Sequence, residues 1–328
     1  MWKAACALLV LVALLGCQRP PPKAPEPLQR IRVACTVQPQ STLVHIAMAK
    51  GYFPGEGLEV ETILHAFGKA SLQCLLDQRA EFAVVAETPL MFNILKGERL
   101  FVLATIEASN SNNAILARKD VGVSAPGDLR GKRIGFTPGT TSEFFLDSFL
   151  TTLGLTRQDI QPVPLNPDDM QGAILGKQVA AICTWNYPLT RIRRMLGPQG
   201  LIFYDHEIYT ETYNLVAQQD FVQKNPETVR RLLRAMVRAE QFAAEHPGEA
   251  QTLMSRASGT DLEVVREVWS SFRYRIQLDE TILVTLEDET RWAMKQRLTE
   301  AKAMPDYRTY LHADSLRAVR PDAVKLPR

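Results

Sequence analysis

Apolar and polar positions along this chain repeat as short strand-like runs separated by helical spacings, and the two alternate. Ile31 to Val37 is an apolar run that stops at Gln38, Pro39 and Gln40; Ser41 then opens a helix carrying Leu43, Val44, Ala47 and Met48 and closed by Gly51. Leu58 to Leu64 predicts a strand, His65 to Lys69 a loop, Ala70 to Arg79 a helix, and Phe82 to Ala86 a strand ending at Glu87. Thr88 caps the next helix, with Pro89 at its first position and Gly97 beyond its last. Leu100 to Ile106 is a further strand, followed by the polar loop Glu107 to Asn113. This βαβα order predicts a mainly parallel sheet with helices on both faces.

A second unit follows in the same manner. Ile115 to Ala117 is an apolar run leading at once into Arg118, Lys119 and Asp120; Ile134 to Phe136 is a buried strand stopped by Pro138 and Gly139. Thr140, Thr141 and Ser142 then precede Glu143 and an apolar run at helical spacing. That strand, turn and helix N-terminus would aim backbone N–H groups at an anion. Gln161 to Leu165, Val179 to Thr184 and Leu201 to Tyr204 predict strands, with helices over Pro167 to Leu175 and Pro188 to Leu196. Tyr213 to Ala217, running into Gln218, Gln219 and Asp220, repeats the layout of Ile115 to Asp120, so the two are read as paired crossings of one hinge. From Asn225 onward the pattern is almost all helical, with Thr260 and Glu263 as a capping box. The organisation expected is an α/β chain of two doubly wound lobes joined by a two-strand hinge: 31–116 with 216–328 as lobe 1, and 117–215 as lobe 2.

The N-terminus changes the compartment. Lys3, the apolar stretch Ala4 to Leu15, and Leu14-Leu15-Gly16-Cys17 match a lipoprotein signal peptide over 1–16, with Cys17 the lipidated residue. The apolar stretch is shorter than the roughly 20 residues that span a bilayer. Residues 17–30 form a Pro-rich linker, with five prolines between Gln18 and Arg30, expected to be extended at roughly 3.1 Å per residue. The mature body is expected to be extracytoplasmic, in the periplasm or at the cell surface, held to a membrane through Cys17.

Of the 328 residues, 46% are hydrophobic and 23% charged, enough for real cores and against disorder. The formal charge is +2, and no basic stripe argues for nucleic acid. Cys35, Cys74 and Cys183 sit in apolar contexts without CxxC or Cys/His spacing, which points to buried free thiols and no metal.

Gly51-Tyr52-Phe53 with Glu56-Gly57-Leu58, Ala86-Glu87-Thr88-Pro89, Asp128-Leu129-Arg130-Gly131-Lys132-Arg133-Ile134-Gly135 and Trp185 before Pro188 give the chain a family likeness from about Ile31 to Val324. It resembles the substrate-binding lipoproteins of ABC importers of the nitrate/sulfonate/taurine type, a family with thiamine-pyrimidine synthase-like relatives and the type II periplasmic binding protein fold. The resemblance implies a monomer without cofactor. A small organic ligand, anionic or zwitterionic, sulfonate/taurine-like or heterocyclic, would be captured by lobe closure and delivered to a permease in the cytoplasmic membrane.

It also implies a site at the carboxyl ends of strands. The positions are Gln38, Ser41 and Thr42; Phe67 and Gly68; Glu87 and Thr88; Asn112 and Asn113; Thr137, Thr140 and Thr141; Trp185 with Asn186; and Tyr213 with Asn214. Glu87 would repel a simple anion. Two other readings share the fold: an enzyme of the pyrimidine-synthase or menaquinone-pathway kind, for which His65 is the residue to watch, and a ligand-sensing lipoprotein. No HExxH, GxSxG or P-loop pattern supports the enzyme, and none of the sequence is read as catalytic.

Overall fold

The structure, a computed structural model, describes residues 27–326; the signal peptide, Cys17 and most of the proline-rich linker lie outside them. Strands gather into two sheets. The chain builds the first with β1 (Gln29–Thr36), β2 (Leu58–His65), β3 (Phe82–Ala86) and β4 (Leu100–Ser109). It crosses to the second for β5 (Asn113–Arg118), β6 (Arg133–Phe136), β7 (Gln161–Pro164), β8 (Ala181–Trp185) and β9 (Gly200–Phe203). It then returns to the first with β10 (Glu211–Gln218), β11 (Arg273–Asp279) and β12 (Val324–Lys325). The strand orders are β12-β11-β4-β10-β3-β1-β2 and β7-β6-β8-β5-β9.

Each sheet is mixed: parallel neighbours are broken by antiparallel strands where the hinge feeds the sheet and, in the first sheet, also where β11 pairs with β4. β1 is parallel to β2 and β3, and β6 to β7 and β8. β10 runs against both β3 and β4, and β5 against both β8 and β9, because a strand arriving through a crossing enters from the opposite end. The apolar runs expected to be the crossings lie wholly inside sheets: Ile115, Leu116 and Ala117 in β5, and Leu215, Val216 and Ala217 in β10, all fully buried. The chain changes sheet in the polar residues just before each run, 110–112 and 204–210, where backbone groups need no apolar cover.

The C-terminal third is not all helical. β11 sits beside β4, and its sequence alternates polar Arg273, Arg275 and Gln277 with apolar Tyr274, Ile276 and Leu278, the period of a strand. Around it the helices Pro226–Glu245, Pro247–Ser258 and Glu280–Lys295 pack on the first lobe. The long helix buries Val229, Leu232, Leu233, Met236, Ala239 and Ala243, three and four apart, against the main core. Its Arg230 and Arg234 pair with Glu227 and Glu56. Asp261, not Thr260, caps the helix Leu262–Val268, accepting from Glu263 N at 2.8 Å. Cys35, Cys74 and Cys183 are buried and unpaired.

The lobes are closed on one another. Trp292, on the helix Glu280–Lys295 of the first lobe, donates its indole N–H to Asp147 Oδ2 of the second at 2.7 Å. Arg157 Nε holds the other carboxylate oxygen at 2.5 Å. Phe144 stacks edge-on against Trp292 and Tyr209, at centroid distances of 5.2 and 5.0 Å. Trp292→Phe keeps the ring contacts and deletes the charge-assisted bond. It should lower unfolding free energy by about 1.5–3 kcal/mol in urea titration, and an unchanged midpoint would show that the bond contributes nothing.

Candidate ligand-binding site

Between the lobes lies a narrow cavity. The first lobe supplies Gln38 and Gln40 after β1, Phe67, Gly68 and Lys69 after β2, Ala86 and Pro89 around the end of β3, and Glu211 and Tyr213 from β10. The second supplies Thr140 and Thr141 at the start of the helix Thr141–Thr152, and Trp185 at the end of β8. Apart from Glu211 and Tyr213, which stand at the start of antiparallel β10, these lie at the carboxyl ends of strands or the helix starts that follow them. Gly68 is a packing requirement: a Cβ there would lie 2.3 Å from the Tyr213 hydroxyl.

The structure brings seven of the expected residues into the wall: Gln38, Phe67, Gly68, Thr140, Thr141, Trp185 and Tyr213. Asn112 and Asn113 stand one layer behind, and their side-chain amides donate to the Glu211 carboxylate. The others spend polar atoms on the scaffold, although the Thr137 hydroxyl and Glu87 Oε1 are buried without a partner among the described residues. Ser41 Oγ accepts from Thr36 N at 3.1 Å, and Thr42 Oγ1 donates to Pro39 O at 2.6 Å. Thr88 donates to Glu289 instead of capping its helix, which begins one residue earlier. Glu87 accepts from Thr212 N at 2.7 Å, and Asn214 accepts from Thr105 Oγ1 at 2.8 Å. Asn186 accepts from Thr190, while Thr137 donates its N–H to Ser142 Oγ. His65 is half-buried at the end of β2, apart from the wall.

The loop after β6 is less open to an anion than its pattern suggests. Gly139 N–H donates to Glu143 Oε2 at 2.6 Å, so the helix's own acid occupies a donor meant for a ligand. Thr140 Oγ1 turns back to Thr137 O.

Glu211 is the residue the sequence reading passed over, because it sits two positions ahead of the apolar run at Tyr213. A Glu-Thr pair leading a buried strand directly after a crossing was the available signal. Its carboxylate receives Asn112 Nδ2 at 3.0 Å on each oxygen, Gln40 Nε2 at 3.5 Å, and Asn113 Nδ2. Burial pushes it up to about 7, against these hydrogen bonds. Glu87, Glu107 and Glu289 are also fully buried and pushed well up, first by desolvation and then by one another's charge or that of Glu211. Lys69 stands exposed at the rim, its ammonium on Pro138 O at 3.0 Å. The wall thus offers one buried carboxylate, three aromatic faces, amide and hydroxyl groups, and Lys69 as its cation, with no arginine.

The NMT1/THI5-like family model matches residues 38–250. Among curated proteins, the chain is similar to the riboflavin-binding protein RibY of Chloroflexus aurantiacus, 25% identical over 289 residues that cover 80% of each chain. It is also similar to the formylaminopyrimidine-binding protein of Halalkalibacterium halodurans, 20% identical over 275 residues, 81% of this chain and 82% of that one. Among solved structures, the periplasmic aliphatic sulphonate binding protein SsuA from Escherichia coli superposes with a TM-score of 0.74 at 17% identity, covering 86% of this chain and 91% of that one. The fold is that of the periplasmic binding proteins.

The buried carboxylates fix a pH dependence. Their folded-state affinity for protons exceeds that of the unfolded chain, so the stability they confer is complete below the usual carboxylate range and is lost as pH rises through about 7 for Glu211. The melting temperature of ligand-free protein should fall between about pH 5 and pH 8, and Glu211→Gln should flatten that slope. Because the half-buried histidines His45, His65 and His312 are pushed down by desolvation and act in the opposite sense, the decisive comparison is between the two proteins, and a slope that Glu211→Gln leaves unchanged contradicts the assignment.

Proposed function

This chain belongs to the NMT1/THI5-like family, and from that premise we propose that it is the extracytoplasmic solute-binding component of an ABC importer. It captures a small organic ligand by closing its lobes and presents it to a permease. The observation that carries the reading is the closed cleft, with aromatic faces on both lobes and Glu211 at the junction. Gln38 Oε1 accepts from Tyr187 N of the other lobe at 3.0 Å, a bond that exists only when the lobes meet. The chemistry is that of capture, as in the relatives named for binding.

The wall narrows the ligand. A sulfonate would face Glu211 with only the rim Lys69, already held by Pro138 O, to offset the repulsion, whereas an amine or amino-heterocycle would donate to the carboxylate and stack on Trp185, Phe67 or Tyr213. Micromolar affinity requires about 8 kcal/mol. A charge-assisted hydrogen bond supplies about 1.5–3 kcal/mol, so stacking and burial in the closing cleft must provide most of the remainder. Of the ligands named for the relatives, the pyrimidine and the flavin suit this wall and the sulfonate does not. Lipidation at Cys17 would hold the protein at the membrane as a monomer, within reach of its permease.

Native mass spectrometry of freshly purified protein identifies the bound molecule, and calorimetry with that molecule tests the site. Trp185→Ala should weaken binding at least about tenfold, equivalent to about 1.4 kcal/mol. Glu211→Gln should weaken an amine-bearing ligand comparably. A bound sulfonate, or unchanged affinity in both variants, would refute this assignment of the wall. Cys17→Ala should move the protein from the membrane fraction to the soluble one, and a variant that stays with the membrane rules out that anchor.

A further inference from the structure

Behind the ligand cleft, on the opposite face of the first sheet, lies a second cavity of about 130 Å³ between β4, β10 and β11. Successive residues of β10 divide the two: Glu211 and Tyr213 line the ligand cavity, while Thr212 between them lines this one. The space opens because the β11–β4 ladder loses register between Tyr274 and Gln277. The irregular stretch is held in place: Ile276 N–H donates to Glu240 Oε2 at 2.7 Å, and Glu240 is neutralised by Arg320. Irregularities fixed in this way re-aim the side chains they carry.

What they aim here is cationic. Arg273 and Arg275 both line the cavity, and neither has a carboxylate within ion-pair distance among the described residues, although most of the chain's other arginines do. Buried Thr105 and Thr212 form the base, their hydroxyls donating to Asn214 Oδ1 and Glu87 Oε2, and Thr281 in the first turn of the helix Glu280–Lys295 closes one side. The acid in the wall, Asp279, is already engaged: Oδ1 accepts from Thr281 N at 3.0 Å and Oδ2 from Gln277 Nε2 at 2.7 Å. Two guanidiniums without ion-pair partners, two positions apart on one face of β11 and lining one cavity, offer the paired N–H donors that an oxyanion takes.

We propose that this cavity is a second binding site, for a small inorganic oxyanion such as phosphate or sulfate, separate from the ligand cleft. Because the sheet lies between the two, the anion and the cleft ligand do not compete for space. The test is calorimetric titration of inorganic phosphate into the full chain at constant ionic strength set with chloride, with ³¹P line broadening as a second readout. The expected result is one equivalent bound, with Arg273→Gln plus Arg275→Gln weakening it at least tenfold and each single change giving a smaller loss. The arginines are exposed, so these variants keep the fold. No phosphate binding by either readout overturns the proposal, as does equal affinity in the double variant. If Lys69→Gln at the cleft rim weakens phosphate as much as the arginine changes do, the ion occupies the cleft and the proposal falls.

Discussion

The structure turns on one buried charge site, the Glu211 carboxylate and the amides that hold it. Glu211 is the first residue of β10 in one sheet, and Asn113 the first residue of β5 in the other, so their contact ties the two lobes at the hinge. The tie branches. Asn113 Oδ1 accepts from Thr141 Oγ1 at 3.0 Å, fixing the start of a helix at the cleft, and Asn112 Oδ1 accepts from Asn186 N at 3.1 Å, fixing the segment that carries Trp185. A carboxylate taken out of water must have such partners or lose its charge. The same residues that satisfy Glu211 therefore position the aromatic and hydroxyl walls around it.

Closure is held at several points around the hinge, and they differ in kind. Asp147 with Trp292 is a charged hydrogen bond in an aromatic setting, Gln38 with Tyr187 N is a neutral bond at the cavity itself, and Lys69 with Pro138 O is an exposed contact at the rim. The first is insulated from water and the last is not. An exposed contact contributes little, which leaves rim residues free to open while the buried contacts set the closed geometry. The second cavity shares Thr212 with the scaffold of Glu87 but faces away from the cleft. The first sheet thus carries polar chemistry on both faces near one hinge strand.

Much of this was legible in the residues. Period-two and helical spacings gave the order of elements, and the likeness to a two-lobed family gave the arrangement of strand ends around a cleft, so Gln38, Phe67, Gly68, Thr140, Thr141, Trp185 and Tyr213 fall in the wall. Ser41, Thr42 and Thr88 have the sequence signature of ligand contacts as well as of caps, yet their hydroxyls serve backbone or Glu289. A short hydroxyl side chain has partners within one turn of itself, and sequence cannot say whether they or a ligand will take it. β11 was hidden for a different reason, since a seven-residue alternation between long helices is outweighed by its neighbours.

Local chemistry in the sequence by itself determined the βα succession, the turns at Pro138-Gly139 and Gly51, and the buried apolar strands, because each depends on residues near one another in the chain. Only the tertiary structure decided which polar groups meet: that Glu143 fills its own helix N-terminus, that Glu211 rather than Glu87 faces the ligand cavity, and that Asp147 waits for Trp292, 145 positions away. Those pairings are long-range and depend on the register of strands and the angle between lobes. Spacing along the chain carries no record of either.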